Sequence, residues 1–211
     1  MTVELELREC GFENVESLYW IKDDTGAWSG PLEDWKEGKE DILNYVNYFE
    51  TVVQAGGCCG MYPRFYDNYF ENVITFEPNK DNYACLSKNC EDTSIVHYNK
   101  ALGSQITTAT MSYASPGGDN MNVGMHRVNE FVPGEIEVTT IDSLKLGSLD
   151  LLHLDLEGSE EAALLGAIQT ITRYWPVIVT ERAGGSNLLQ ILGYECVKTM
   201  RMDSIFVKQF W

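Results

Sequence analysis

The sequence predicts an α/β fold: a mostly parallel seven-stranded sheet with helices on both faces, finished by an antiparallel pair of strands at the C-terminus. Three observations predict it. From residue 51 onward, short β-branched runs alternate with stretches of helical periodicity. Most of these runs are apolar throughout, as strands buried on both faces are. The last two, YECVKTM and DSIFVKQF, are joined by a tight turn near Met202–Asp203, which only antiparallel neighbours permit.

Taken in order, residues 1–30, with Trp20, Gly26, Trp28 and Gly30, are expected to form an irregular or hairpin extension. Pro31 suits the first turn of a helix, where its missing N–H is harmless, and Trp35, Ile42, Tyr45, Val46 and Phe49 then recur at helical spacing. Strands are expected at 51–56, 72–78, 94–102, 149–156 and 176–181. Helices are expected at 61–70, at 79–89 with Asn79 as N-cap, after Ser159 with Leu164, Leu165, Ile168 and Ile171 on one face, and at 184–192. Residues 103–135 break the rhythm with a strand and a Gly/Asn-rich loop; loops of that length are often functional, and this one is expected to lie over the site. The expected organisation is a single domain, 1–211: an N-terminal extension and helix (1–49), then a core (50–211) carrying the 103–135 insertion.

The charge balance bounds the function. A formal net charge of −17 leaves little Lys and Arg for a phosphate backbone, so nucleic acid is not expected as a partner. No stretch approaches the ~20 apolar residues of a membrane span, so no membrane partner is expected either. The opening MTVELELREC has neither a basic n-region nor an apolar h-region, so a cytoplasmic location is expected. The six cysteines lack the spacing of a four-ligand zinc site or a small disulfide framework, and read as reduced, mostly buried thiols. Nothing in the sequence sets the oligomeric state.

Ligands of such sheets bind beyond the carboxyl ends of the strands. The first core strand ends in Gln54-Ala55-Gly56-Gly57-Cys58-Cys59-Gly60, where glycines allow φ > 0 and close approach to a ligand. Glu77, about twenty residues on, stands where a carboxylate accepts the two hydroxyls of a ribose. The pattern is G-G-x-x-G followed by Pro63, not the G-x-G-x-x-G that seats a pyrophosphate on a helix N-terminus. That suits an adenosine-type ligand without phosphates, such as S-adenosylmethionine.

VVQAGGCCG followed by VITFEPN resembles the opening of the FkbM-type S-adenosylmethionine-dependent methyltransferases. TTIDSL followed by LDLLHLDLEGSEEAALLGA resembles their second block, and YWPVIVTER their next strand, so the resemblance runs from about residue 50 to 182. Its most specific part is Asp155-x-Glu157-Gly158-x-Glu160 followed by a helix. The sequence departs from the family at Gln54, where an acid is usual, and at Cys58, where Asn is usual. The resemblance implies a class I methyltransferase, Rossmann-like sandwich, with S-adenosylmethionine as cofactor and S-adenosylhomocysteine as product. It implies cofactor binding by Gln54, Ala55, Gly56, Gly57, Gly60, Met61, Glu77, Pro78, Asn79, Ala101 and Asp155, with Asp155 at the junction of cofactor and acceptor.

Methyl transfer is an in-line displacement that needs alignment and, for a hydroxyl acceptor, a base. His153, Asp155 and Glu157 alternate at the end of the fourth core strand, so all three are expected to face the pocket. Asp155 is assigned to positioning, and Glu157 to the base or to anchoring the following loop. The same triple is a plausible divalent-metal set, but no metal is assigned. His126, His153, Glu181 and Arg182 are the acceptor-site candidates. Tyr194 and Lys198 mimic a reductase pair but fall in a strand, not on a helix face. The expected function is O-methylation of a small molecule or glycan. The alternatives are an NAD(P)-dependent oxidoreductase on a similar sheet and a non-catalytic cofactor-binding module.

Overall fold

A computed structural model describes residues 3–12, 14–27, 41–113, 122–130, 132–200 and 202–209. The chain opens with an antiparallel hairpin, β1 (Leu5–Phe12) and β2 (Val15–Ile21), turning through Gly11 and Asn14 at positive φ. The core follows as β3 (Thr51–Ala55), α1 (Met61–Tyr66), β4 (Asn72–Phe76), α2 (Lys80–Asn89) and β5 (Val96–Tyr98). Next come β6 (Ala101–Leu102), β7 (Thr107–Tyr113), β8 (His126–Asn129) and β9 (Ile136–Thr139). The chain then runs through β10 (Leu151–Leu154), α3 (Glu160–Leu165), α4 (Ile168–Tyr174), β11 (Val177–Glu181), α5 (Ser186–Ile191), β12 (Tyr194–Thr199) and β13 (Asp203–Lys208).

The main sheet has seven strands in the order β12-β13-β11-β10-β3-β4-β5. Strands β3, β4, β5, β10 and β11 are parallel, and β13 runs antiparallel to both β11 and β12. The three central strands, β3, β10 and β11, are buried along their whole length. Alternation deals their side chains to two faces. Val52, Leu151, Val177 and Val179 pack with the hairpin, α1 and α2, around Trp20, Phe65, Tyr66 and Leu86. Val53, Leu152, Leu154 and Ile178 pack with α3, α4 and α5, around Leu164, Ile171 and Leu189.

Several elements differ from expectation. The stretch 94–102 is two strands, because Asn99 donates to the carbonyls of Glu77 (2.8 Å) and Pro78 (3.2 Å) and turns the chain. Ala101 and Leu102 then enter a second sheet, of order β6-β9-β7-β8. The described part of 103–135 therefore carries two strands rather than one, with β7 paired to β8 and to β9, and turns between them; residues 114–121 and 131 fall outside the described residues. The helix expected after Ser159 divides at Gly166. A Cβ there would meet the Gly103 carbonyl at 2.1 Å, and Asp142 caps the second half through the amides of Gln169 and Thr170. The helix at 61–70 stops at Tyr66. Trp28, Gly30, Pro31 and Trp35 lie outside the described residues; 41–43 are helical, and Ile42 and Val46 are buried. None of the six cysteines is in a disulfide; four are buried, Cys58 is partly buried and Cys196 is exposed. Among the described residues no helix is long and apolar enough to cross a membrane.

Leu152 sits at the centre of the α3–α5 face with no exposure. Leu152→Ala is expected to lower stability by about 2–5 kcal/mol through lost burial and a cavity, read from urea unfolding.

Candidate active site

The carboxyl ends of β3 and β10 touch. Gly56 has φ 84°, and a Cβ on it would lie 1.9 Å from the Asp155 carbonyl. A Cβ on Gly57 would meet Leu86 at 2.5 Å and the Thr75 hydroxyl at 2.7 Å. These glycines are therefore required by contacts within the protein, where the sequence suggested approach of a ligand. Their amides both donate to the Phe76 carbonyl, at 3.1 and 2.9 Å, which lays the turn against the end of β4.

That turn delivers the Cys58 amide to Glu77. Glu77 Oε2 accepts from Cys58 N (2.8 Å), and Oε1 accepts from Asn79 N (2.7 Å). Asn79 in turn caps α2 by accepting from Asp81 N and Asn82 N. Burial raises the Glu77 pKa to about 7, against the opposing pull of those two amides and of Asn82. Glu77 lines a cavity of about 320 Å³, within the range of small-molecule sites.

Across the cavity stand carboxylates. Asp155, Glu157 and Glu181 each place an oxygen within 4.8 Å of the others, and Asp203 lines the same wall. Burial first, then Asp203, Glu181 and Glu157, push Asp155 well above the usual carboxylate range. Burial and then Glu157 raise Glu181 to about 7, with Arg182, 3.1 Å away, opposing. Burial also raises Glu157, opposed by Arg182 and Arg127, and its Oε2 is buried without a hydrogen-bond partner. The loop that presents these acids is tied by Glu160, whose Oε1 accepts from Leu156 N (3.0 Å) and Gly158 N (3.2 Å). Cys58, Glu157 and Arg182, all on the cavity wall, are held at positive φ, where a side chain is strained.

Of the residues named from sequence, Gly56, Gly57, Met61, Glu77, Pro78, Ala101, Asp155, Glu157, His126, Glu181 and Arg182 line this cavity. Gln54, Ala55, Gly60, Asn79 and His153 do not. Gln54 is fully buried: its Oε1 accepts from Thr75 (2.7 Å), and its Nε2 donates to the carbonyls of Ala55 and Gly56. It braces the turn from beneath. Gly60 is the left-handed N-cap of α1. His153 packs edge-on against Tyr62, shares a 2.8 Å hydrogen bond with the Tyr66 hydroxyl, and is held neutral by burial, with a pKa lowered to about 3. Strand geometry ends at Leu154, so the alternation that grouped it with Asp155 and Glu157 fails there, and the metal set weighed for that triple is not assembled. His126 sits on the Glu77 side. Asn79 Nδ2 donates to its Nε2 (3.1 Å), and its Nδ1 faces the Val123 carbonyl at 3.0 Å.

Sequence reasoning missed Trp20, Ala27, Tyr62, Asn82, Lys100, Val123 and Asp203 as cavity residues. Asn82, one turn after the Asn79 cap, was legible by helix periodicity; the others are brought in by tertiary packing alone.

The sequence model of the Methyltransferase FkbM domain family matches residues 53–205. Comparison with curated protein sequences gives no match. Among solved structures, the chain is similar to methyltransferase FkbM from Methylobacillus flagellatus KT, at 20% identity over 74% of this chain and 42% of that one, with TM-score 0.51. It is also similar to a ribosomal protein L11 methylase from Lactobacillus delbrueckii subsp. bulgaricus, at 9% identity over 86% and 81%, TM-score 0.50. A third is the tRNA (uracil-54, C5)-methyltransferase of Pyrococcus abyssi in complex with S-adenosyl-L-homocysteine, at 9% identity over 97% and 44%, TM-score 0.55. At these identities the likeness is one of fold, and the chain spans less than half the length of the first and third.

The Glu77 shift has a direction that can be tested. A carboxyl whose pKa is raised by folding contributes stability at acid pH that is lost as pH rises through about 7. Glu77→Gln is expected to flatten the fall in stability between pH 5 and pH 8 by up to about 3 kcal/mol in urea unfolding of the ligand-free protein.

Proposed function

The chain belongs to the FkbM methyltransferase family, and on that premise we propose that it methylates a hydroxyl of a small molecule or glycan, using S-adenosylmethionine and releasing S-adenosylhomocysteine. The observation that carries the cofactor reading is Glu77. Its carboxylate is fixed by two backbone amides beside a glycine turn and opens onto the cavity, which fits a pair of ribose hydroxyls. Lys100 and Arg182 are the Lys and Arg side chains on the described cavity wall; Lys100 pairs with Glu137 and Arg182 with Glu181, and neither belongs to the turn. That favours a cofactor without phosphates over a dinucleotide.

When bound, the cofactor supplies a methyl group on a sulfonium centre. The chain's own residues do the rest. Glu77 accepts the ribose hydroxyls, and Gly56, Gly57 and Cys58 form the wall beside them. Asp155 positions the acceptor at the opposite wall. Glu157, with a buried oxygen that has no hydrogen-bond partner and a proton affinity raised by burial, takes the hydroxyl proton. Gln54 has a bracing role that needs no acid, so its neutrality does not argue for a non-catalytic module. A tRNA methyltransferase shares the fold, so the fold says nothing against nucleic acid; the net charge of −17 is what supports another acceptor.

S-adenosylhomocysteine at a hundredfold excess over its Kd is expected to raise the melting temperature by about 5 °C or more, whereas NAD and NADP leave it unchanged. A response to the dinucleotides alone would overturn the cofactor assignment. Glu77→Ala is expected to weaken S-adenosylhomocysteine binding by about 1–3 kcal/mol in calorimetry. Labelled methyl transfer into a metabolite or glycan extract, set against transfer into RNA, decides the acceptor class; Glu157→Gln is expected to slow the productive reaction about 10²- to 10⁴-fold.

A further inference from the structure

The hairpin residues 20–27 lie outside the span matched by the family, yet Trp20, Gly26 and Ala27 line the cavity. They reach it through Asp24, whose side chain is fully buried. Asp24 Oδ1 accepts from Gly26 N (3.3 Å), Ala27 N (3.1 Å) and, ninety-nine residues away, Val123 N (3.2 Å). Oδ2 accepts from Trp20 Nε1 (2.8 Å), and Arg8 lies 3.6 Å from the same oxygen. The chain of bonds continues on the far side of Val123. Its carbonyl accepts from Asn82 Nδ2 (2.7 Å), and Asn82 stands on α2 beside the cap Asn79 that donates to Glu77. The hairpin is anchored to the same helix, because Asn89 exchanges hydrogen bonds with Tyr19 N and O, both at 2.8 Å.

Two segments distant in sequence thus form one wall on the Glu77 side of the cavity, and one buried carboxylate joins them. Apolar Ala27 and Val123 line the same cavity as Glu77, together with apolar Pro78 and Leu102. We propose that this wall holds the purine base of the cofactor and that Asp24 is its positioning residue, acting through Val123. The inference rests on the cofactor reading above. It assigns Asp24 no contact with the ligand. Such a carboxylate is hard to replace, because its removal leaves the amides of Gly26, Ala27 and Val123 and the indole N–H of Trp20 without this acceptor.

The experiment uses the full chain. S-adenosylhomocysteine and adenosine are titrated calorimetrically into wild type, Asp24→Ala and Asp24→Asn, and amide hydrogen exchange is followed at Val123 without ligand. Asp24→Ala is expected to weaken both ligands by the same factor, at least tenfold, and to speed exchange at Val123. Asp24→Asn keeps an oxygen for the three amides but sets its NH2 against the Trp20 N–H, and is expected to recover part of the affinity. Faster exchange with ligand affinity within twofold of wild type would make the link merely structural and overturn the proposal. So would an Asp24→Asn variant as weak as Asp24→Ala. Should Asp24→Ala fail to fold, Val123→Pro deletes the partner amide from the other side, with the same expected loss and the same refutation. Wild type that binds neither ligand overturns the cofactor reading itself, which is distinct from wild type and Asp24→Ala binding alike.

Discussion

The approach of Gly56 to the Asp155 carbonyl is the constraint on which the site depends. Strands β3 and β10 are neighbours in register, Ala55 beside Leu154, and the residues just beyond them leave the sheet in opposite roles. One chain bends into the turn that feeds Cys58 N to Glu77; the other carries Asp155 and Glu157 to the facing wall. Any side chain at position 56 would force the two strand ends apart and with them the two halves of the cavity. The positive φ at Gly56 adds a second reason that only glycine serves.

Charge is distributed along the same division. On one side a single buried carboxylate is held by amides that pull its pKa down while burial pushes it up to about 7. On the other, three carboxylates lie close enough to raise one another, with Arg182 as a counterweight.

The strands buried on both faces were legible in the sequence, because burial of both faces leaves an unbroken apolar run, as in VIVTE and LLHL. The Asn79 cap and Glu77 were legible for the same local reason: a cap and a strand end are decided by a few neighbouring residues. What was not legible is tertiary. Asn99 breaks 94–102 because two carbonyls wait for its amide across the turn. His153 turns inward because Tyr66 and Tyr62 receive it. Gln54 looked like a weakened ligand-binding acid and is instead a brace beneath the turn, a role that only its partner Thr75 reveals. The hairpin's share of the cavity depends on Asp24 finding Val123, for which local sequence offers no sign.

That last separation bears on how the molecule comes to fold. The cavity draws on residues 20–27, 56–62, 76–82, 100–102, 122–128, 155–159, 181–182 and 202–203, almost the whole length of the chain. Each wall closes a long loop, and loop closure must be met before its contacts reward it, so the cavity is a late product of folding. Synthesised from the N-terminus, the hairpin waits for Val123, the glycine turn waits for Asp155, and the acidic wall waits for Asp203. The cavity is therefore assembled only once segments from residue 20 to residue 203 have come together, and a break in any of them opens a wall.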